Sequence, residues 1–426
     1  MIASSTLPQS KACLLKTADF YYSLSCFLPI LCVIIKQSSI MLLNNKKIAI
    51  AGGGPGGLTL ARLLQLNGAS VKVYERDINK DARVQGTTLD LHEESGLKAL
   101  RQAKLLEAFK KNYRPGADKM IIVNEHAHVF FSDHEGKPEE DFGSEHFRPE
   151  IDRGPLRTML LESLQPDTVV WNSQFVSMQK QGDGWLLHFK NETAAYADMV
   201  IGADGANSKI RPYITPVKSF YTGISGILTI EGVHHPETKA PKINTLLNGG
   251  KIMAFGGGKC ITVASKGDGS LAFYVSYKVE ENILNKINFA DKTQVLIWFK
   301  KDFPEWNALW LELFENTETT FTVIPIYCMP LDQTWQALPN LTMLGDAAHL
   351  MPPFAGEGVN MAMLDALELS DCLCNGKFSD IQSAITSYEN QMQKRAKEAA
   401  QESLENGDKM HSLDAPDKML AFFNGH

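Results

Sequence analysis

Six consecutive residues, Gly52-Gly-Gly54-Pro-Gly-Gly57, match G-x-G-x-x-G between a strand signal at 48–51 and a helical signal at 58–66. In that strand, turn and helix setting the pattern is a dinucleotide fingerprint. Glycines here let backbone close up on a pyrophosphate, and the helix N-terminus behind them stabilises its charge. Glu75 lies 18 residues beyond Gly57, at the end of a second strand signal. A carboxylate there accepts hydrogen bonds from ribose hydroxyls. A glycine-rich turn beside an exposed glutamate is the plainer alternative.

Fingerprint and acid serve NAD and FAD alike, so later segments must decide. Gly202-Ala-Asp204-Gly-Ala-Asn-Ser-Lys-Ile-Arg211 follows one strand signal, and Gly345-Asp346-Ala-Ala-His349 follows another. Both place an acid at the C-terminal edge of a strand, where ligands of open α/β sheets sit. An aspartate that accepts from a ribityl hydroxyl, beside small residues that admit a flavin, makes chemical sense of 345–348. Other reactive residue types read as structural. No nucleophile is visibly paired with His349. Cys372-x-Cys374 sits in a helical pattern, where positions two apart do not share a face. His126-x-His128 and His234-His235 lack further ligands at metal-site spacing, so no metal is expected. Met361, Met363, Leu364 and Leu367 form a core stripe.

The fingerprint, the D-G segment and the G-D segment, in this order, resemble the class A FAD-dependent aromatic-ring hydroxylases. Within that family the sequence is most similar to the TetX-type, tetracycline-inactivating flavin monooxygenases. The matching stretches are Val73-Tyr-Glu-Arg-Asp77, Thr88-Leu-Asp-Leu-His92, Ile151-Asp-Arg153 and Gly345-Asp-Ala-Ala-His-Leu-Met-Pro-Pro-Phe-Ala-Gly-Glu-Gly-Val-Asn360. The resemblance spans 41 to about 401, and its last stretch is the most specific.

The resemblance implies FAD held by Gly52, Gly54, Gly57, Glu75, Arg76, Asp90, Arg153, Asp204, Asp346 and Gly358, and NADPH met by Arg83. Arginine suits phosphate through bidentate bonding, and the acids suit sugar hydroxyls. A surface role for Arg83 and a helix-start role for Arg153 are the plainer alternatives. Pro353 and Phe354 are expected at the isoalloxazine edge. Gly358 is expected to open a helix whose free N–H groups stabilise negative charge on the reduced ring. The implied reaction is a monooxygenation: NADPH reduces FAD, O₂ is captured as the flavin C4a-hydroperoxide, and one oxygen passes to an electron-rich aromatic or enolic carbon. The flavin carries that chemistry, and no catalytic side chain is implied.

The substrate positions depart from the resemblance. Where the family's tetracycline contacts are Gln, Arg and His, this chain has Ile230, Lys251 and Ala272, while Met253 and Phe354 keep their type. Lysine does not replace a bidentate arginine, and the other two positions have lost polar handles. A flatter, more apolar phenol or enol fits better than a tetracycline, within a broader expectation of aromatic or polyketide-like substrates. Two other readings stay open: a flavoprotein oxidase or reductase, and a flavin-containing protein that sequesters a ligand without turnover. A flavin halogenase is disfavoured, because Trp185-Leu-Leu-His is not the W-x-W-x-I-P signature.

These residues lie far apart in the chain, so the fold must gather them. Strand and helix signals alternate from 47 to about 106, a βαβ start. A helix is expected at 156–164, with strands at 169–171, 185–189 and 199–203. From 215 to 331 the chain turns β-rich, with runs at 224–230 and 271–277 and a helical stretch near 293–316. A buried strand at 341–344 and a long polar helix at 381–406 complete the pattern. The expected fold is α/β: a discontinuous Rossmann-like FAD-binding domain (41–106, 140–214 and 332–360), a β-rich substrate domain (107–139 and 215–331) and a C-terminal helical region (361–410) that bridges them.

The whole chain bounds these readings. Its 426 residues suffice for two domains with a shared interface. A formal net charge of -7 argues against nucleic acid as a partner. Seven scattered cysteines fit a reducing cytoplasm. Residues 20–35, up to Lys36, carry no charge, but the run is shorter than the ~20 apolar residues a spanning helix needs and is interrupted by Pro29. Residues 1–40 are therefore read as an extension, mis-annotated or disordered, with an apolar anchor as the alternative. Small molecule and O₂ are the expected partners, and the chain is expected to be a monomer.

Overall fold

The protein is described by a computed structural model covering residues 42–82, 88–135, 142–144, 146–229, 232–318 and 321–423. The extension at 1–40, Arg83 and Ile230 fall outside the described residues.

The fold is mixed α/β. A five-stranded parallel sheet runs β17 (Leu341–Met343), β11 (Met199–Gly202), β1 (Lys47–Ala51), β2 (Ser70–Tyr74) and β7 (Val169–Val170). Its central strands read as continuous apolar runs because both faces are covered. On one face pack α1 (Pro55–Leu66) and α4 (Gly358–Cys374), whose buried leucines and methionines share one core with Ile48, Ile50 and Met343. On the other lies an antiparallel sheet of β8 (Phe175–Gln181), β9 (Gly184–Phe189) and β10 (Ala194–Ala197), which sets Trp185, Leu187 and Phe189 against Ala49, Val200 and Leu341. This unit is discontinuous: β17 follows β11 by some 140 residues of sequence yet pairs directly with it.

The intervening chain builds most of a seven-stranded sheet, in the order β16 (Thr322–Cys328), β12 (Phe220–Leu228), β15 (Leu271–Lys278), β14 (Lys259–Ser265), β13 (Lys251–Gly256), β4 (Met120–Asn124) and β5 (Val129–Ser132). Alternation along each strand divides its residues between two faces. Ile252, Val263, Phe273 and Val275 turn to an aromatic core with Trp298 and Phe299 of α3 (Lys292–Asp302), Trp310 and Phe314. Met253, Thr262, Ala272, Tyr274 and Ser276 turn the other way and line a cavity. Within 107–139 the sequence offers little periodicity, for a physical reason. β5 is an edge strand, with Val129 and Phe130 exposed, and β4 pairs in parallel with a strand some 130 residues later.

A small antiparallel pair, β3 (Thr88–Asp90) and β6 (Glu150–Asp152), sits between the two large sheets. Asp152 leads into α2 (Arg153–Glu162) and accepts from the Gly267 N–H at 2.8 Å. Arg114 donates to the Ser265 carbonyl at 2.7 Å and its hydroxyl at 3.0 Å. Helix α5 (Ile381–Met410) spans both units. The Tyr388 hydroxyl donates to the Met343 carbonyl on β17, and the residue after the helix, His411, meets Ser276 on β15 at 2.8 Å. Among the described residues no helix is long and apolar enough to cross a membrane.

Candidate active site

A cavity of about 1290 Å³ runs from the glycine turn, past the ends of β11 and β17, to the inward face of the seven-stranded sheet. At the turn Gly52 holds φ +112°, and a Cβ there would strike the Ala203 carbonyl. Gly54 lines the cavity, where a Cβ would meet no protein atom, so the turn faces open space. Helix α1 begins at once, with no side chain capping its N-terminus, so its first N–H groups are left for a ligand. Glu75, 4% exposed, holds the turn: one carboxylate oxygen accepts from the Gly53 N–H at 2.6 Å and the other from Asp77 at 3.0 Å. Arg76 is exposed and does not line the cavity.

Deeper in the cleft stand two opposite charges. Arg153, at the first turn of α2, and Asp346, after β17, both line the cavity, and neither has a side-chain hydrogen bond within the described protein. Burial pulls the Arg153 guanidinium below its usual range, against the Asp346 charge. Burial pushes the Asp346 carboxyl up, against His349 and Arg153. Asp204 is placed differently. One of its oxygens accepts from Ser208 at 2.5 Å and the other from the Lys209 and Ile210 N–H groups at 2.7 and 3.2 Å, so it shapes its own turn, while Ala203, Gly205 and Ala206 line the cavity.

The turn that carries Asp346 is fixed from below. The fully buried Asp365 of α4 accepts from the Gly345 N–H at 2.8 Å, His349 at 2.6 Å and Arg395 at 2.7 Å. Burial raises its carboxyl, but these partners outweigh that and hold it below the usual range. His349 is a structural member of this set. Arg211, from the D-G segment, donates to the Ala347 and Ala348 carbonyls at 3.0 and 2.8 Å, so the two motifs are bonded to each other.

Asp90 and Gly358 both line the cavity, and the Asp90 carboxylate lies beside Gly356. Asn360, 0% exposed, accepts from the His92 N–H at 2.9 Å and the Gly96 N–H at 3.3 Å, and donates to the Asp90 carbonyl at 3.0 Å. His92 bridges Asp90 at 3.0 Å and Glu357 at 3.1 Å. Burial alone would lower its pKa; the two carboxylates raise it to about 9. Asp90 is held below its usual range by His92 and Lys251, against its burial. Lys251 pairs with the buried Glu150, and although burial opposes its charge, Glu150 and Asp90 raise its pKa. Around Lys251 the cavity wall is Met253, Ala264, Ala272, Leu228, Ile324, Pro353 and Phe354.

The sequence profile of the FAD binding domain matches residues 45–238 and 334–403, more than half of the chain and both halves of the cleft. The chain belongs to the FAD binding domain family. This FAD-binding chain is 25% identical over 411 residues to monooxygenase penA of Penicillium thymicola, covering 83% of this chain and 92% of that protein. Its fold superposes on HpxO of Klebsiella pneumoniae complexed with FAD and uric acid, with TM-score 0.71, 20% identity and coverage of 91% and 94%. It also superposes on the tetracycline destructase Tet(51), with TM-score 0.66, 18% identity and coverage of 89% and 94%. The flavoprotein is thus a flavin-dependent monooxygenase of the aromatic-hydroxylase type. Its cleft fits FAD: an uncapped helix start, a turn open at Gly54 and two cavity-facing charges are what a dinucleotide's phosphates and hydroxyls require.

Arg211, Asn360, His92, Glu357, Asp365 and Arg395 carry roles that sequence reasoning did not assign. His92 and Glu357 lay inside quoted motifs, but their pairing spans 265 positions, and short-range spacing carries no signal for it.

Proposed function

We propose that this enzyme uses NADPH to reduce FAD and inserts one oxygen atom from O₂ into an electron-rich aromatic or enolic small molecule. The observation that carries the reading is the continuity of the cavity, from Arg153 and Asp346 to an apolar sheet face, which supports a dinucleotide and a planar substrate sharing one enclosure. The enzyme is proposed to work as a cytoplasmic monomer; the buried thiols Cys260, Cys328, Cys372 and Cys374 suit a reducing compartment.

In this reading the N–H groups of the Gly52–Gly57 turn and of the α1 start face the pyrophosphate, with Glu75, Asp204 and Arg76 shaping or flanking the ribose side. Asp346 accepts from a ribityl hydroxyl, and Arg153 supplies a fixed positive charge. Bound there and reduced, FAD would supply the activation of O₂ and the oxygen transfer. The protein's part is binding, orientation and water exclusion. Asp90, held ionised by His92, fixes the strand beside the ring, and the N–H groups of α4 from Gly358 onward favour negative charge on it. Arg83 is proposed to meet NADPH.

Met253, Ala272, Pro353 and Phe354 offer flat apolar contact, with Ile230 proposed to extend it. Lys251 is already engaged by Glu150, which disfavours it as a handle for a polyoxygenated substrate. We therefore favour a phenol or enol over a tetracycline. A panel of simple phenols, enols and tetracyclines, scored by substrate-stimulated NADPH oxidation and a product mass gain of one oxygen, tests this. Stimulation by phenols or enols with oxygen incorporation is expected. A product without added oxygen would assign an oxidase or reductase, and flavin that NADPH never reduces would assign a ligand-sequestering protein.

A further inference from the structure

The apolar sheet face ends in a polar corner that the flavin does not account for. Ser276 lines the cavity on β15, and its hydroxyl lies 2.8 Å from His411 Nε2. The other ring nitrogen, Nδ1, lies 2.6 Å from the Gly407 carbonyl. A carbonyl only accepts, so Nδ1 carries the proton and Nε2 presents a lone pair. The Ser276 proton is therefore engaged by His411, and the serine oxygen is left as an acceptor towards the cavity. Burial lowers His411 to about 4, so the ring is neutral at physiological pH and this polarity is fixed. His411 is also packed edge-on by Phe354, at 5.1 Å between ring centres, which sets the corner beside the Pro353–Phe354 loop.

Tyr274 stands two residues from Ser276 on the same strand face, so both side chains point into the same enclosure. Its hydroxyl is buried and, although the Ser276 hydroxyl is near enough to act on it, makes no hydrogen bond of good geometry to any described residue. A buried hydroxyl left unsatisfied is costly, so a group from outside the chain is the natural partner. The ring is held in place by neighbouring backbone: a Cβ on Gly226 would collide with it. The corner thus offers a free donor and a fixed acceptor side by side at the end of an apolar wall.

We propose that Tyr274, Ser276 and His411 form a subsite for the lactam or enolised-carbonyl edge of an aromatic substrate. Tyr274 donates to the substrate's oxygen, and Ser276, oriented by His411, accepts from its N–H or O–H. The proposal rests on the flavin-monooxygenase reading and narrows its substrate class: a simple arene offers neither group.

Flavin absorbance changes on titrating the FAD-loaded enzyme with 2-quinolone and with N-methyl-2-quinolone test it. The wild type is expected to bind the N–H lactam about tenfold tighter than the methylated one. Ser276→Ala and His411→Phe should bring the two within about twofold, the latter because the serine proton is freed to donate. Tyr274→Phe should weaken both lactams about tenfold and keep their ratio. Flavin stoichiometry, measured in every variant, shows whether the cleft is intact. Equal binding of both lactams by the wild type, no binding of either, or a ratio that survives Ser276→Ala overturns the subsite while the flavin reading stands. Failure of the wild type to hold FAD overturns both.

Discussion

In the proposed reading Asp346 and Arg153 separate a flavin site from a generic nucleotide turn: both line the cleft, and what the described protein sets against them is charge alone, each acting on the other and His349 on Asp346. Losing a hydrogen bond to a charged group costs about 1.5–3 kcal/mol, roughly ten- to a hundredfold in affinity. Asp346→Ala should therefore release FAD on desalting, whereas a variant that stays yellow at full occupancy would remove Asp346 from the site. Arg83→Ala should raise the NADPH concentration needed for flavin reduction and leave FAD content unchanged; an unaltered NADPH dependence counts against its role. The place of Asp346 in the cleft wall after a strand was legible because a strand, a glycine and an acid lie within a few residues. The engagement of Asp204 by Ser208, Lys209 and Ile210 was not, since a side chain that bonds its own turn and one that points at a ligand share the same sequence.

At the scale of elements, the start of α4 is the joint on which the site depends. Asn360 bonds β3, the turn after it and the loop before α4, so one amide ties Asp90 to Gly356, two residues before Gly358. Asn360→Ala leaves the buried His92 and Gly96 N–H groups unmatched, and a loss of about 2–4 kcal/mol in urea unfolding is expected, with weaker FAD retention. An unchanged midpoint would mean that water or a shifted backbone replaces the amide. Most elements were visible from periodicity: the β1, α1 and β2 unit, α2, β15, β17 and α5 fall within a few residues of their expected places. β4, β5 and the β3–β6 pair were not, because short or edge strands owe their existence to partners far along the chain.

Across the whole molecule, the half-buried His92 and the buried His411 have opposite shifts that shape stability against pH. His92 rises from 6.5 to about 9 because Asp90 and Glu357 outweigh its burial. Its contribution is complete below pH 6.5 and is lost as pH rises through 9. His411 falls from 6.5 to about 4 through burial, so the unfolded chain takes up the proton first and stability declines as pH drops from 6.5 towards 4. The melting temperature should peak near pH 6.5. His92→Gln should flatten the alkaline limb and His411→Phe should moderate the acid limb, and limbs unaltered by these changes would assign the pH dependence to other groups.

The proposed function requires one cleft to serve FAD, NADPH and substrate for oxygen chemistry. Anaerobic mixing of the FAD-loaded protein with NADPH tests it most directly. Bleaching of the flavin absorbance, with recovery of the yellow colour on admitting O₂, is the result predicted, and a flavin that stays oxidised under excess NADPH would contradict it.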